Sequence, residues 1–224
     1  MVKSLLTLAV LGLAALGVQR RAEPDAVIRF KEERMTLQWT ATADEAVVVL
    51  SAETEAALGT VEILGPDGEL IVDLQAHAGQ DLALQGFVLE TREQDVAGLV
   101  ETYPAGTYAL RAWTTDGELA TGSARLTHDL LAPPVVTHPV EGEVVDATRT
   151  LEIRWELDPQ AAGYEVHLEQ NENDGLTVKL PGDAESFAVP PGVLLPGEPT
   201  QVEVGVLSRS GNCTLVEVVL ATAD

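Results

Sequence analysis

Apolar and polar side chains alternate with a two-residue period along much of this chain. Met35, Leu37 and Trp39 share one side of a segment whose other side carries Thr36 and Gln38. This alternation is typical of a β-strand with one buried face. Shorter apolar or alternating stretches follow at 46–50, 60–64, 69–74, 108–113 and 120–127. Residues 22–131 are therefore predicted to form an N-terminal β-rich domain.

Turn sequences separate several of these stretches. Gly65-Pro66-Asp67-Gly68 and Thr115-Asp116-Gly117 each lie between two of them. Proline presets φ at the first turn position and glycine accepts positive φ, so each sequence predicts a hairpin. The glycines of the first sequence are thus assigned to a turn and not to a phosphate-binding loop. Residues 80–100 have an ambiguous period, and we expect a short helix or an irregular crossover within 90–100.

The second half carries the clearer pattern. Seven short strands are predicted, at 135–138, 150–156, 163–169, 176–180, 186–189, 200–208 and 214–221. Residues 129–134 contain Pro133 and Pro134, which cannot donate to a sheet and stiffen a linker. We therefore predict an all-β protein of two β-sandwich domains in tandem. The expected bounds are 1–21 for a leader, 22–131 for the first domain and 132–224 for the second.

The second domain resembles a fibronectin type III module. The resemblance rests on six successive motifs, which are Pro133-Pro134, Pro139-Val140-Glu141-Gly142, Leu151-Glu152-Ile153-Arg154-Trp155, Gly163-Tyr164-Glu165-Val166, and the turns Leu195-Pro196-Gly197 and Gly211-Asn212. It covers about 132–222 and implies an immunoglobulin-like sandwich in which Trp155 and Tyr164 are core aromatics. The family places a tyrosine shortly after the Leu195-Pro196-Gly197 turn, where this chain has Thr200. The resemblance therefore implies a corner without its usual brace.

The whole chain also resembles a group of uncharacterised exported bacterial proteins. The segments that carry this likeness are Tyr103-Pro104-Ala105-Gly106-Thr107-Tyr108, Thr115-Asp116-Gly117 and Leu126-Thr127-His128-Asp129-Leu130. Members of this group pair an N-terminal β-domain with the C-terminal module. The resemblance implies no activity.

The N-terminus has the pattern of a secretory signal peptide. Lys3 precedes an apolar run at 5–18, and Ala15 and Gly17 supply small residues for cleavage near Gly17. Fourteen apolar residues make a helix of about 21 Å, which is too short for a stable membrane span. We expect cleavage and an extracytoplasmic location, periplasmic or secreted, although Arg20 and Arg21 would favour retention.

A net charge of −23 narrows the classes of partner. The 36 acidic side chains outnumber 13 basic ones and are spread over both halves. Phosphate backbones are bound by clustered Lys and Arg, so nucleic acid is excluded as a partner. The same charge disfavours anionic lipid surfaces. The chain has three lysines and ten arginines, a bias for which a GC-rich genome is the preferred explanation and adaptation to saline surroundings the alternative.

Candidate catalytic and metal-binding residues do not form a known motif. His77, His128, His138 and His167 lack metal-ligand spacing, although His128 and His138 flank the linker. Ser123 lacks the second glycine of a nucleophile elbow and is assigned to a strand. We predict no catalytic, cofactor-binding or metal-binding residues. The best cation candidate is the loop Asn171-Glu172-Asn173-Asp174-Gly175, for which a hairpin turn is the preferred interpretation.

Cys213, Trp39 and Trp113 are the remaining candidate functional residues. A single cysteine cannot form an internal disulfide, and Cys213 is expected to be a small buried hydrophobe within the glycosylation-like triplet Asn212-Cys213-Thr214. Trp39 and Trp113 are expected in the core, with an outward platform for a ligand as the alternative.

The sequence thus predicts an exported, non-catalytic binding protein with an unknown protein or polymer partner and no cofactor. A carbohydrate- or polymer-binding accessory module is the first alternative. A hydrolase that uses carboxylates of the first domain is the second.

Overall fold

The computed structural model describes residues 27–75, 84–170 and 173–223. The elements of the first half are β1 (Val27–Arg29), β2 (Glu32–Thr40), β3 (Glu45–Leu64), β4 (Leu70–Gln75), β5 (Leu84–Glu90), α1 (Val96–Thr102), β6 (Gly106–Thr114) and β7 (Leu119–Leu126). The elements of the second half are β8 (Val136–His138), β9 (Val144–Val145), β10 (Leu151–Trp155), β11 (Gly163–Gln170), β12 (Asn173–Pro181), β13 (Ser186–Val189), β14 (Pro199–Leu207) and β15 (Cys213–Thr222). The described residues are nearly all in strands and loops, with one short helix, which agrees with the predicted all-β class. The leader 1–21 and His77 lie outside the described residues.

Strand β3 builds both layers of the first sandwich. Its first part pairs with β2 and β5, and its second part pairs with β4 and β6. Strand β7 pairs with β6, and β1 joins β7 in parallel. The two layers are therefore β2-β3-β5 and β4-β3-β6-β7-β1. Leu37, Val48, Leu58, Ile63 and Tyr108 are among the buried side chains packed between them.

A change of side-chain alternation allows β3 to serve both layers. Even-numbered positions from Ala46 to Thr54 point inward, whereas Val61 and Ile63 do so further along. The register with neighbouring strands shifts between Glu53 and Leu58 and again before Thr60. Such bulges bend a strand and re-aim its side chains. The sequence predicted two separate short strands here, and that prediction was wrong because the bulge interrupts the two-residue period.

The second half is a sandwich of three strands on four. One layer is β13-β10-β8, and the other is β12-β11-β14-β15 with β9 added at the far end of β15. Each of the seven predicted strands is confirmed, and β9 is an addition. Trp155 and Tyr164 are buried with ring centroids 5.2 Å apart, and Trp155 Nε1 donates to the Ala184 carbonyl at 2.9 Å. Both therefore occupy the core positions that the resemblance implied.

The corner before β6 in the first half and the corner before β14 in the second half are stabilised by different side chains. In the first half, the Tyr108 hydroxyl donates to the Pro104 carbonyl at 2.9 Å, which is the geometry of a tyrosine corner. Burial raises the pKa of Tyr108 to about 12. The alternating stretch at 108–113 predicted a strand and did not indicate this corner.

Thr200 fills the corresponding corner of the second half with a network of smaller side chains. Thr200 is fully buried and accepts a hydrogen bond from Gln170 Nε2 at 2.7 Å. Gln170 Oε1 accepts from the Leu195 N–H at 2.8 Å, and the Thr222 hydroxyl donates to the Leu195 carbonyl at 2.7 Å. The corner is therefore braced from two neighbouring strands, although the family's tyrosine is missing.

Strands from both halves also form one continuous sheet. Strand β15 pairs in parallel with β2, with Cys213, Thr214 and Leu215 opposite Gln38, Trp39 and Thr40. Leu130 packs against the first hydrophobic cluster, and Leu131 packs against the second. The domain boundary at 131/132 stays a prediction.

Asn212 forms hydrogen bonds across this junction. Its side chain is 1% exposed, and its Oδ1 accepts from the Leu37 N–H at 2.9 Å. Its Nδ2 donates to the carbonyl of Thr127 at 2.9 Å and lies 3.2 Å from Asp129 Oδ1. Ser210 also donates to Asp129 at 2.8 Å. The side-chain amide of Asn212, the first residue of the glycosylation-like triplet, therefore joins the two halves through hydrogen bonds.

Candidate functional site

An apolar cleft opens into the first sandwich between the edge strands β4 and β5. The layer β2-β3-β5 supplies one wall, formed by Met35, Val48, Leu50 and Leu89. The layer β4-β3-β6 supplies the opposite wall, formed by Ile63, Ile71, Val72 and Tyr108. These residues line a cleft because β4 and β5 pair with different parts of β3 and no described strand closes the gap between them.

Few polar groups lie in this cleft. Glu90, Thr91 and Tyr103 complete its lining. The Thr91 hydroxyl accepts a hydrogen bond from the Val48 N–H at 3.0 Å, and the Tyr108 hydroxyl is bonded to Pro104. Glu90 is therefore the one carboxylate that the lining contributes, and it is exposed at the rim.

The volume of the cleft is about 200 Å³. Pockets for drug-sized ligands span roughly 300–1,000 Å³, whereas an apolar cavity of about 150 Å³ accepts benzene. The cleft therefore fits one aromatic ring or one branched apolar side chain and is too small for a nucleotide or an oligosaccharide.

Exposed apolar side chains continue from the cleft onto β4. Ile71 lines the cleft and is 42% exposed, and its neighbour Leu70 is 56% exposed. Ile71 therefore exposes apolar surface to water at the mouth of the cleft.

The described histidines lie in separate places. His128 Nε2 lies 2.8 Å from the Tyr103 carbonyl oxygen, whereas His138 Nδ1 lies 3.4 Å from Glu143 Oε2. His167 lies on β11 beside Glu165. Within 27–75, 84–170 and 173–223, no group of three or more His, Cys, Asp or Glu side chains could hold a metal ion.

The two uncertain tryptophans differ in orientation. Trp39 packs against the first hydrophobic cluster, and its Nε1 donates to Asp44 Oδ1 at 3.3 Å. Trp113 alternates with the inward residues Ala112 and Thr114 of β6 and therefore lies on the outer face of its sheet, half-buried. Trp39 is half-buried at the edge of the core, whereas Trp113 lies on the outward face that the alternative requires.

The remaining candidates occupy structural positions. Ser123 lies in β7, as predicted. Strand β11 ends at Gln170 and β12 begins opposite it at Asn173, which is a hairpin arrangement. Asn171 and Glu172 lie outside the described residues. Cys213 is buried, and burial raises the pKa of its thiol.

A charged cluster covers the outer face of the second sandwich. Glu165 lies 2.8 Å from Lys179 Nζ and 3.6 Å from His167 Nε2, and it is almost fully buried. The hydrogen bond from His167, aided by Lys179 and opposed by burial, lowers the pKa of Glu165 to about 2. Across β14, burial raises the pKa of Glu203, whose Oε1 accepts from Gln201. The cluster contains ion pairs and hydrogen bonds within one sheet face.

The sequence did not reveal the cleft. Each lining residue reads as an ordinary inward position of a strand, and nothing local marks β4 and β5 as the edges of different layers. The exposed pair Leu70-Ile71 after the Gly65–Gly68 turn was the available sign, because two adjacent apolar residues interrupt strict alternation.

The solved structures that match this chain include fibronectin type III modules. The fibronectin(III)-like modules of Clostridium thermocellum CbhA match at 10% identity over 40% of this chain and 94% of theirs, with a TM-score of 0.32. A two-domain segment of chicken tenascin matches at 12% identity over 86% of this chain and 99% of its own, with a TM-score of 0.32. The FN1–FN3 domains of chicken CNTN1 match at 12% identity over 89% of this chain and 69% of theirs, with a TM-score of 0.35.

No family model matches the sequence, and no curated protein matches it. Among the described residues, no helix has the length and hydropathy needed to cross a membrane. The strand order places the second half among fibronectin type III-like sandwiches. The similar structures are too distant in sequence and geometry to indicate a ligand or an activity.

Proposed function

We propose that the chain is a non-catalytic binding protein whose apolar cleft receives one side chain or ring of its partner. The observation that carries this proposal is an open cleft of about 200 Å³ whose walls are hydrocarbon. Partner recognition through a buried anchor in such a pocket is the usual source of binding energy at interfaces.

The polar lining supports binding over catalysis. General acid–base and nucleophilic mechanisms need two or more positioned groups within hydrogen-bonding reach. The cleft contributes one carboxylate, Glu90, while the hydroxyls of Thr91 and Tyr108 are bonded to the backbone.

An extracytoplasmic location is part of the proposal. It rests on the apolar run at 5–18 behind Lys3. Fractionation of cells that express the full chain with a C-terminal tag tests it. Recovery of a shortened chain outside the cytoplasm is expected, and full-length protein confined to the cytoplasm would overturn this part.

Indole is a suitable probe for the cleft. In methyl NMR spectra of the purified protein, indole should shift the signals of Val48, Leu50 and Ile63. The cavity-filling variant Val48→Phe and the rim variant Ile71→Arg should each weaken this response. Hydrolysis of a panel of glycosides, esters or peptides that is lost in Glu90→Gln would overturn the non-catalytic assignment.

A polymer-binding platform is the second candidate because Trp113 lies on an outer sheet face. Soluble glycans that quench tryptophan fluorescence in the wild type but not in Trp113→Phe would support it. Trp39→Phe is the matched control, because Trp39 packs against the core.

A further inference from the structure

We propose that the partner is an extended cationic peptide segment that adds a strand to β4 and places one apolar side chain in the cleft. The inference rests on the proposed function of the cleft and names the chemistry of its occupant.

The first observation is an unpaired strand edge at the mouth. Among the described residues, β4 pairs with β3 alone, so no described strand covers its other edge. An exposed edge is a template for an added strand, in which main-chain hydrogen bonds give affinity and side-chain pockets give specificity.

The second observation is the position of Ile71. It belongs to the β4 edge strand and also lines the cleft, so the edge and the pocket are adjacent. Side chains of an added strand alternate between the two faces of the sheet. One face of that strand would therefore point toward the cleft, and the volume of the cleft admits one large apolar side chain.

The third observation is charge. The segments that frame the cleft, 65–75 and 84–102, contain one base, Arg92, and seven acids, which are Asp67, Glu69, Asp73, Glu90, Glu93, Asp95 and Glu101. A basic segment is attracted to this rim, and electrostatic complementarity favours it over neutral or acidic partners. A second copy of this chain, at −23, would be repelled.

Synthetic heptapeptides test the proposal against the whole purified protein. The parent probe is Lys-Val-Lys-Phe-Lys-Val-Lys. Its relatives replace the central Phe by Ala, replace every Lys by Glu, or methylate alternate backbone nitrogens. We expect parent binding with a Kd on the order of 10–100 µM. Each change should weaken it at least about fivefold, which is about 1 kcal/mol.

Protein variants locate the site. Ile71→Arg should raise the Kd of the parent peptide about tenfold through charge repulsion and loss of the apolar wall. Val88→Arg is the matched control, because Val88 is an exposed apolar residue of β5 that does not line the cleft. It should change the Kd less than about twofold. Because both positions are exposed, circular dichroism should confirm that the variants are folded.

The outcomes separate the two proposals. Binding that Ile71→Arg leaves intact, or that the Glu-substituted peptide reproduces, would overturn the peptide inference. So would a lack of peptide binding while indole still enters the cleft, which leaves the cleft as a binding site for another partner. If neither indole nor peptide binds, the proposed function fails as well.

Discussion

The side-chain carbonyl of Asn212 accepts a hydrogen bond from the backbone N–H of Leu37, 175 residues earlier in the chain, at 2.9 Å. Both groups are buried, and the Asn212 amide nitrogen is bonded to Thr127 and Asp129 at the same time. Asn212, in a turn of the second sandwich, therefore supplies the hydrogen-bond acceptor for a backbone N–H of β2 in the first sandwich. The two sandwiches are joined by specific bonds in addition to their linker.

Replacement of Asn212 by Ala should uncouple the two halves. The variant leaves the Leu37 N–H buried without an acceptor, which costs about 1–3 kcal/mol. Hydrogen exchange at the Leu37 amide should therefore accelerate by about tenfold to a hundredfold. Ser210→Ala, which removes one bond to Asp129, is the control and should leave that amide nearly unchanged. Equal protection of Leu37 in the wild type and Asn212→Ala would contradict this role.

Acid should weaken the second sandwich through Glu165. Its pKa is about 2 in the folded chain and about 4.5 when unperturbed. The stabilisation by its carboxylate is therefore present above pH 4.5 and is lost as the pH falls toward 2. Glu165→Gln should lower the free energy of unfolding at pH 7 by on the order of 2 kcal/mol and change little near pH 2. Urea titrations at several pH values measure this difference.

Replacement of Glu203 by Gln, on the same sheet, should change stability with the opposite pH dependence. Because burial raises the pKa of Glu203, its stabilising contribution is full below about pH 4.5 and is lost as the pH rises through the folded value. The Gln variant should therefore be more stable than the wild type at pH 7 and equal to it at pH 4. Parallel pH profiles for the two variants would contradict both assignments.

Tyr108→Phe should destabilise the first sandwich by about 1 kcal/mol, because it removes the hydroxyl that bonds Pro104 and keeps the ring. Equilibrium unfolding in urea measures the loss. Tyr103→Phe is the matched control, since it makes the same chemical change at a half-buried position beside the cleft. A loss at Tyr103 as large as that at Tyr108 would argue against a special role for the corner.

Gly205→Ala should be strongly destabilising. A Cβ at this position would lie 2.6 Å from Cys213 Sγ and 2.8 Å from a Leu215 methyl group, so these buried side chains or their strand would have to shift. Overpacking of this kind costs about 1–3 kcal/mol. The second change Cys213→Ala removes the nearer atom and should recover part of the loss in a double-mutant cycle. Strict additivity of the two changes would show that the steric explanation is wrong.

The sequence predicted the second sandwich better than the first for a physical reason. In β10 the inward residues Leu151, Ile153 and Trp155 alternate with Glu152 and Arg154, which directly reflects one buried and one solvated face. In β3 the bulge around Thr54–Thr60 shifts that period by one residue, so a single strand of 20 residues resembled two. The local alternation of apolar and polar residues cannot show that one strand contributes to both layers.

Neither the junction between the two halves nor the cleft could be predicted from local sequence patterns. The parallel ladder between β2 and β15 is three residues long and joins segments 175 positions apart. Asn212 looked like an ordinary turn residue after Gly211. The cleft depends on which strands remain edges, and that is decided by pairing across the whole domain. The core tryptophan and the turns were local properties and could be predicted.

The parallel ladder between β2 and β15 gives the protein a mechanical property. Tension that pulls β2 from Glu32 and β15 from Thr222 loads the ladder lengthwise, because the two strands run in the same direction. In that geometry the bonds between Gln38–Thr40 and Cys213–Leu215 must break together and cannot open one at a time. The two sandwiches should therefore transmit a pulling force as one body before they separate.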